Sequence, residues 1–448
     1  MVSAKNILIL LTASLVTLVL RCGGSHQHKH RRDSARDTLI VNNYSQQVHL
    51  PEPYATKSAT NPSDAIGWPA NVTPKAPEGF TVTRYASDLK NPRWIYITPT
   101  GDVLVAEAQH SPSLAKDLLD KVTGKNKSIE DNANRITLLR DNNKDGTPDL
   151  QTVFLSGLNY PFGMLVLGGY FYVANTDALW RYPYTAGQTS ISGKGEKILD
   201  LPGEGRHWTR NIIASPEGSK IYIAVGSSSN VAENGIDKEV HRANILEINP
   251  DGSGLRVYAS GLRNPVGMDW SPVTHQLWTA VNERDELGDG LVPDYITSVR
   301  DGGFYGWPYS YFGQHKDPRI KDEDQRSDLV RSAIVPDYAV GSHTASLGFA
   351  FYKGTSFPAA YRNGAFVGQH GSWNSANPTG YKVIFVPFAD GRPSGDPQDF
   401  LTGFMANKDK NQVYGRPVGV AVLPDGSLLV ADDTGNTIWR IAYTRKAY

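Results

Sequence analysis

The chain has 448 residues, with 45 Lys and Arg balancing 45 Asp and Glu, 40% hydrophobic and 20% charged residues, and a single Cys. Zero formal net charge argues against a nucleic-acid partner, whose phosphates favour a strongly basic face. The composition is neither that of a disordered chain nor that of a membrane bundle, and one Cys excludes both a disulfide framework and a cysteine-rich zinc site.

Residues 7–20 follow Lys5 as an apolar run of 14 residues. A bilayer span takes about 17 to 25, whereas a run of this length suits the core of an export signal. Residues 1–22 are therefore expected to be a signal peptide, and the protein to be secreted or periplasmic. Cys22 stands where a bacterial lipoprotein would be cleaved and acylated, although Arg21 replaces the usual small residue. The other reading is ordinary cleavage near Gly23-Gly-Ser25; only lipidation at Cys22 would tie the protein to a membrane. Asn43-Tyr-Ser45, Asn71-Val-Thr73 and Asn126-Lys-Ser128 are glycosylation acceptors if the host is a eukaryote. The basic and histidine-rich tract at 26–32 opens a polar, Pro-studded stretch without hydrophobic period, so residues 23–75 are expected to be a solvated tether. The folded domain is then 76–448.

High Gly (43) and Pro (28) with scarce Met (4) favour many turns and short strands in that domain. One pattern recurs six times: a short apolar strand, a Pro/Asp/Gly turn and a second apolar strand. It runs from Asn91-Pro-Arg-Trp94 into Val103-Leu-Val-Ala106, and from Tyr160-Pro-Phe-Gly163 into Tyr170-Phe-Tyr-Val-Ala174. Trp208-Thr-Arg-Asn211 leads to Ile221-Tyr-Ile-Ala-Val225, and Arg263-Asn-Pro-Val-Gly267 to Leu277-Trp-Thr-Ala280. Ser346-Leu-Gly-Phe-Ala350 pairs with Gly364-Ala-Phe-Val367, and Arg416-Pro-Val-Gly419 with Leu428-Leu-Val-Ala431. Repeats of several strands each predict an all-β, six-bladed β-propeller, here with long inter-blade loops. In a propeller the residues before each innermost strand converge over the axial channel. They are Arg93, Tyr160, Arg210, Arg263-Asn264, Ser346 and Arg416, and four of the six positions carry Arg. Such a ring suits an anionic ligand with carboxylates or phosphates, planar enough to stack on Trp or Tyr.

Gly205-Arg-His-Trp-Thr-Arg-Asn211, Gly226-Ser-Ser-Ser-Asn230, Gly261-Leu-Arg-Asn-Pro-Val-Gly267, Gly303-Phe-Tyr-Gly-Trp-Pro308 and His370-Gly-Ser-Trp-Asn374 together resemble the glucose/sorbosone dehydrogenase family over residues 78–443. These are exported propellers that use pyrroloquinoline quinone (PQQ), and the resemblance is closest to the L-sorbosone and pyranose dehydrogenase-like branch. It implies a PQQ-dependent dehydrogenase that oxidises an aldose, pyranose or sorbosone and passes electrons to an external acceptor. The chain has no Cys-X-X-Cys-His for a c-type haem of its own. By resemblance His207 matches the general base, taking the substrate hydroxyl proton as hydride passes to the quinone. Arg263 and Asn264 match a cofactor-contacting pair, and Arg416 a cofactor-carboxylate Arg. Arg93 agrees with the first-blade Pro-Arg pattern; Arg210 belongs to the converging Arg set. His370 stands where soluble glucose dehydrogenase has a cofactor-binding Lys, so it faces either the quinone or the substrate.

The resemblance also implies calcium, held largely by main-chain carbonyls at Glu283, Arg284 and Asp285, although Arg284-Asp285 departs from the glucose-dehydrogenase pattern. Asp141-Asn-Asn-Lys-Asp-Gly-Thr-Pro-Asp149 begins like a calcium loop but lacks the closing Glu, and the same residues make a hairpin turn. The alternatives to a dehydrogenase are a calcium-dependent lactonase, which would want acidic rather than basic residues ahead of the inner strands, and a non-catalytic binding propeller.

Overall fold

The computed structural model describes residues 38–43, 46–108 and 133–444. The expected signal peptide, Cys22, the 26–32 tract and the Asn126 acceptor lie outside the described residues.

Nearly all regular structure is β, and six antiparallel sheets carry the six copies of the repeat. In order from their first strand, sheet 1 is Pro92–Ile97, Val103–Glu107, Arg135–Arg140 and Leu150–Leu155. Sheet 2 is Met164–Leu167, Tyr170–Ala174, Ala178–Pro183 and Glu196–Asp200. Sheet 3 is Arg210–Ala214, Ile221–Val225, Asn244–Ile248 and Arg256–Ser260, extended by a short parallel strand, Gly303–Phe304. Sheet 4 is Pro265–Trp270, Leu277–Val281, Pro293–Ser298 and, after a long excursion, Tyr338–Ser342. Sheet 5 is Ser346–Phe351, Gly364–Gln369, Lys382–Ala389 and Gln398–Leu401. Sheet 6 is Pro417–Val422, Leu428–Asp432 and Thr437–Tyr443, and its outer strand, Phe80–Ala86, comes from the start of the body. That last pairing joins the two ends of the body within one sheet.

The second strands are continuous apolar runs because each sheet is covered on both faces. Successive side chains of a strand point to opposite faces, and here alternate residues serve alternate neighbours. Ile221, Ile223 and Val225 pack with Leu165, Tyr172 and Ala174 of sheet 2, while Tyr222 and Ala224 join Met268, Leu277 and Val281 of sheet 4. Likewise Val103 and Val105 meet Leu429 and Ala431 of sheet 6, whereas Leu104 and Ala106 meet Phe162, Phe171 and Val173 of sheet 2.

The Gly of the repeat has a packing cause. A Cβ on Gly163 would lie 2.5 Å from the Ile212 nitrogen, one on Gly267 2.5 Å from the Phe349 nitrogen, and one on Gly348 2.0 Å from the Val418 oxygen. Each Gly thus lets one first strand approach the backbone of the next sheet's first strand. A cavity of about 330 Å³ is lined by residues from all six first strands, among them Trp94, Met164, Ile212, Met268, Phe349 and Val420. The first strands therefore surround a common axis. The register pairs the start of each first strand with the end of its second: Pro92 with Glu107, Arg210 with Val225, Pro265 with Val281, Ser346 with Gln369 and Pro417 with Asp432. All these termini lie at one mouth of the axis.

The expected tether is a correction. Residues 46–75 pack onto the body, which therefore begins well before residue 76. Val48 and Leu50 are buried against Leu287, Leu291 and Tyr295, and the Gln46 amide exchanges two 2.9 Å hydrogen bonds with the Ala339 backbone. Asp64–Ala65 pairs in parallel with Gln412–Val413. Trp68 lies against Phe404, Tyr414 and Trp439 and donates its Nε1–H to Asp432 at 2.6 Å. A few irregularly spaced anchors and backbone hydrogen bonds order this polar stretch, so it carries no hydrophobic period.

Candidate functional site

His207 sits on the loop leading into sheet 3, and two guanidinium groups hold that loop. Arg210 donates from Nη1 to the His207 carbonyl at 2.7 Å and the Thr209 carbonyl at 2.8 Å, and from Nη2 to the Pro202 carbonyl. Arg242 donates to Pro202 O at 2.7 Å and Gly226 O at 3.1 Å. Arg210 was expected to face the mouth; instead it is fully buried and engaged with backbone, which makes it a positioning residue for His207. The imidazole Nδ1 lies 2.8 Å from the Ser227 carbonyl and 3.1 Å from Ser227 Oγ, and that hydroxyl itself donates to Ser229 O at 2.6 Å. A carbonyl only accepts, so Nδ1 carries the hydrogen and Nε2 keeps its lone pair. Burial, then the nearby Arg263 charge, push His207 well below its ordinary value, so the ring is neutral at pH 7.

Gly226 brings this ring to Asn264. A Cβ there would stand 2.2 Å from Asn264 Oδ1 and 2.6 Å from His207 Cβ. Asn264 Oδ1 is buried without a partner among the described residues. Beside it Arg263 donates to Glu283 O at 2.6 Å and to Asn230 Oδ1 at 2.9 Å, and it pairs with Asp285 at 3.3 Å. Its Nε is buried and has no partner among the described residues.

Sheets 1, 5 and 6 supply the other wall. Arg93 Nη1 forms an ion pair with Asp433 Oδ2, and His370 Nε2 lies 2.8 Å from the same oxygen. Burial alone would raise the Asp433 carboxyl, but His370 and Arg93 outweigh it and hold the group well below the usual range. Burial, then Arg416, lower His370 to about 4. Arg416 donates from Nε to the His370 carbonyl and from Nη2 to the Gly371 carbonyl, both at 3.0 Å, with its guanidinium 5.7 Å from the Tyr381 ring centroid. The Arg93 guanidinium lies 5.5 Å from the Trp208 ring centroid, which links this wall to the His207 loop. The structure thus gathers Arg93, His207, Arg263, Asn264, His370 and Arg416 at one mouth and turns Arg210 away. Ser346 is also turned aside, its amide donating to Asp294 at 2.8 Å.

Two of the three expected calcium carbonyls are engaged. Glu283 O accepts from Arg263, and Asp285 O accepts from Arg319 at 2.7 Å and from Asn230 at 3.1 Å. The Arg284 side chain is fully buried, bound to Glu283 at 3.0 Å, Asp317 at 3.2 Å and the Pro308 and Ser310 carbonyls. As they stand, Glu283, Arg284 and Asp285 do not form a calcium site. In the second candidate loop, Asp141 accepts from the amides of Asp145 and Gly146, and Asp149 from those of Asn142 and Asn143, which is hairpin-turn capping. A groove of about 550 Å³ adjoins this turn at the opposite end of the axis, where its Arg140 is paired with Asp102 at 2.6 and 2.8 Å.

Sequence reasoning missed Asp433, Asn230, Arg242 and Arg319. Asp433 had a signal: it follows the second strand of its copy, at the same mouth as the residues ahead of the first strands.

The chain belongs to the family described as Domain of unknown function (DUF7133), whose model matches residues 73–438. An uncharacterized protein of Borreliella burgdorferi is 29% identical over 300 residues, covering 64% of this chain and 77% of that protein. A pyrroloquinoline quinone-dependent pyranose dehydrogenase of Coprinopsis cinerea is 23% identical over 425 residues, 81% of this chain; the match spans 54% of that relative's length. The holo structure of the Coprinopsis pyranose dehydrogenase PQQ domain has a TM-score of 0.67 at 20% identity, covering 84% of this chain and 99% of that one. The calcium structure of a carbohydrate-active enzyme from Trichoderma reesei gives 0.66 at 16% identity, covering 87% and 99%. At these identities the structural likeness shows a shared fold.

Proposed function

We propose that the protein is a six-bladed propeller that binds pyrroloquinoline quinone at the Arg-rich mouth and oxidises a sugar hydroxyl, with His207 as the general base. The observation that carries the reading is the fixed His207 ring: Nδ1–H is held by the Ser227 carbonyl, and the neutral Nε2 is left as a proton acceptor beside Arg263 and Asn264. The similarity to the Coprinopsis pyranose dehydrogenase supports the cofactor class and a sugar substrate.

The mouth fits a planar tricarboxylate. Buried Arg93 Nε and Arg263 Nε have no partner among the described residues, and Trp208 and Tyr381 stand beside the arginines. Arg93, Arg263 and Arg416 would meet the carboxylates. When bound, the quinone supplies a two-electron acceptor for hydride. The protein's part is to orient the sugar, take its hydroxyl proton at His207 Nε2 and keep that ring neutral. No step is assigned to calcium. Sorbosone, aldoses and pyranoses are all candidate substrates, an external acceptor would reoxidise the cofactor, and the chain would act outside the cytoplasm. Two acidic groups at this mouth, Asp433 and Asp285, are already paired with Arg93 and Arg263, which disfavours their use in a lactonase metal centre.

The test is to add PQQ to the purified chain and follow dye-linked oxidation of a panel of aldoses, pyranoses and sorbosone. Quinone-dependent turnover of at least one sugar is expected; quinone binding with no turnover of any would remove the dehydrogenase reading.

A further inference from the structure

The loop after the second strand of sheet 4 is braced by arginine from both sides. Arg263 reaches Glu283 O from the mouth, and Arg319 reaches Asp285 O from behind. Arg319 is itself fixed on the fully buried Asp317 carboxylate, at 2.9 Å from Nε and 2.7 Å from Nη2, and Arg284 donates to the same carboxylate. The cluster's cations, Arg263, Arg284 and Arg319, meet an equal number of carboxylates, Glu283, Asp285 and Asp317. Each of these carboxylates thus has an arginine partner without any metal.

Calcium takes 6 to 8 oxygens at about 2.3–2.6 Å. A calcium ion on the Glu283 and Asp285 carbonyls would have to displace both guanidinium groups or stand beside them. Like charges at such a distance repel strongly where water is excluded, and a displaced buried guanidinium loses its acceptors.

We propose that this chain binds its quinone without calcium, the Arg263 guanidinium supplying the fixed positive charge at the place where a divalent ion would otherwise stand. The inference rests on the quinone reading and concerns how that site is charged. Arg263 is suited to the role: both Nη atoms are anchored in the protein, while its buried Nε has no partner among the described residues. A charge fixed in this way needs no reorganisation when an anion arrives.

The experiment titrates PQQ into the purified full-length chain, followed by quenching of intrinsic tryptophan fluorescence. One arm contains EDTA and the other millimolar CaCl₂. Equal dissociation constants in the two arms are expected. Binding weaker by about tenfold or more in EDTA, and restored by CaCl₂, overturns the proposal and leaves the quinone reading intact. Binding in neither arm removes the quinone reading and this proposal with it. Arg263→Gln is the second arm: binding about tenfold or more weaker in EDTA supports the proposal, and wild-type affinity there overturns it. Should that variant fail to fold, the wild-type comparison decides alone.

Discussion

Two histidines stand at the same mouth, and their partners give them different work. His207 is bonded through Nδ1 to a carbonyl and a serine hydroxyl, neutral acceptors that leave Nε2 free. His370 is bonded through Nε2 to Asp433, a carboxylate already paired with Arg93. A His–Asp contact on its own would draw a proton onto the ring. Here burial and Arg416 prevail, and His370 falls to about 4. The contrast teaches that a carboxylate does not make a histidine basic where burial and a nearby arginine charge outweigh it. His207 keeps the lone pair on Nε2, and His370 helps to tie sheets 5, 6 and 1 together.

The largest expected effect separates the two directly. His207→Ala should retain bound quinone and lose about 10²- to 10⁴-fold in its reduction by sugar, read by stopped-flow absorbance. His370→Ala should alter quinone affinity more than that rate. Equal losses of rate in both variants would erase the distinction. Next in size, Asp433→Asn leaves Arg93 without its charged partner in a largely buried place and should cost about 3–5 kcal/mol, measured by urea unfolding.

Gly226→Ala should act on the other side of the comparison. Its Cβ would push His207 and Asn264 apart, with an overpacking cost of about 1–3 kcal/mol and a loss of rate. Wild-type rate and stability in that variant would contradict the close approach.

The smallest effect is a pH profile of stability. A buried neutral His makes the unfolded chain bind the extra proton, so His370 stabilisation is complete above about pH 6.5 and is lost as pH falls toward about 4. Asp294 and Asp432 run the other way. Burial raises both to about 6, so their contribution is complete below the ordinary carboxylate range and is lost as pH rises through about 6. His207, lowered in the same direction, acts with His370, and His370 opposes the two carboxyls between about pH 4 and 6. Thermal melts should therefore show little pH dependence from these groups. In His370→Ala the melts should tilt toward greater relative stability at acid pH, by up to about 1.4 kcal/mol per pH unit.

Much of this architecture is written locally. The hairpin grammar of the six copies is legible because turn residues and apolar runs act over a few positions, and the Pro-x-Gly of Gly163, Gly267 and Gly419 marks close backbone approach. Arg263-Asn264 is legible for the same reason. What escapes is set by distant partners. Nothing near Arg210 tells whether its guanidinium meets a ligand or the carbonyls of Pro202 and His207. Nothing near Glu283 reveals that Arg319, within the long excursion of sheet 4, will brace the adjoining loop. The segment at 46–75 is held by scattered anchors such as Leu50 and Trp68, which leave no periodic trace.

The central claim is that His207 offers a free Nε2 while His370 does not. It is tested most directly by ¹⁵N-histidine NMR of the purified chain at pH 7, with each ring assigned by its alanine variant. The account predicts a neutral His207 protonated on Nδ1 and a neutral His370 protonated on Nε2. A His207 ring that is an imidazolium, or that carries its proton on Nε2, would contradict it.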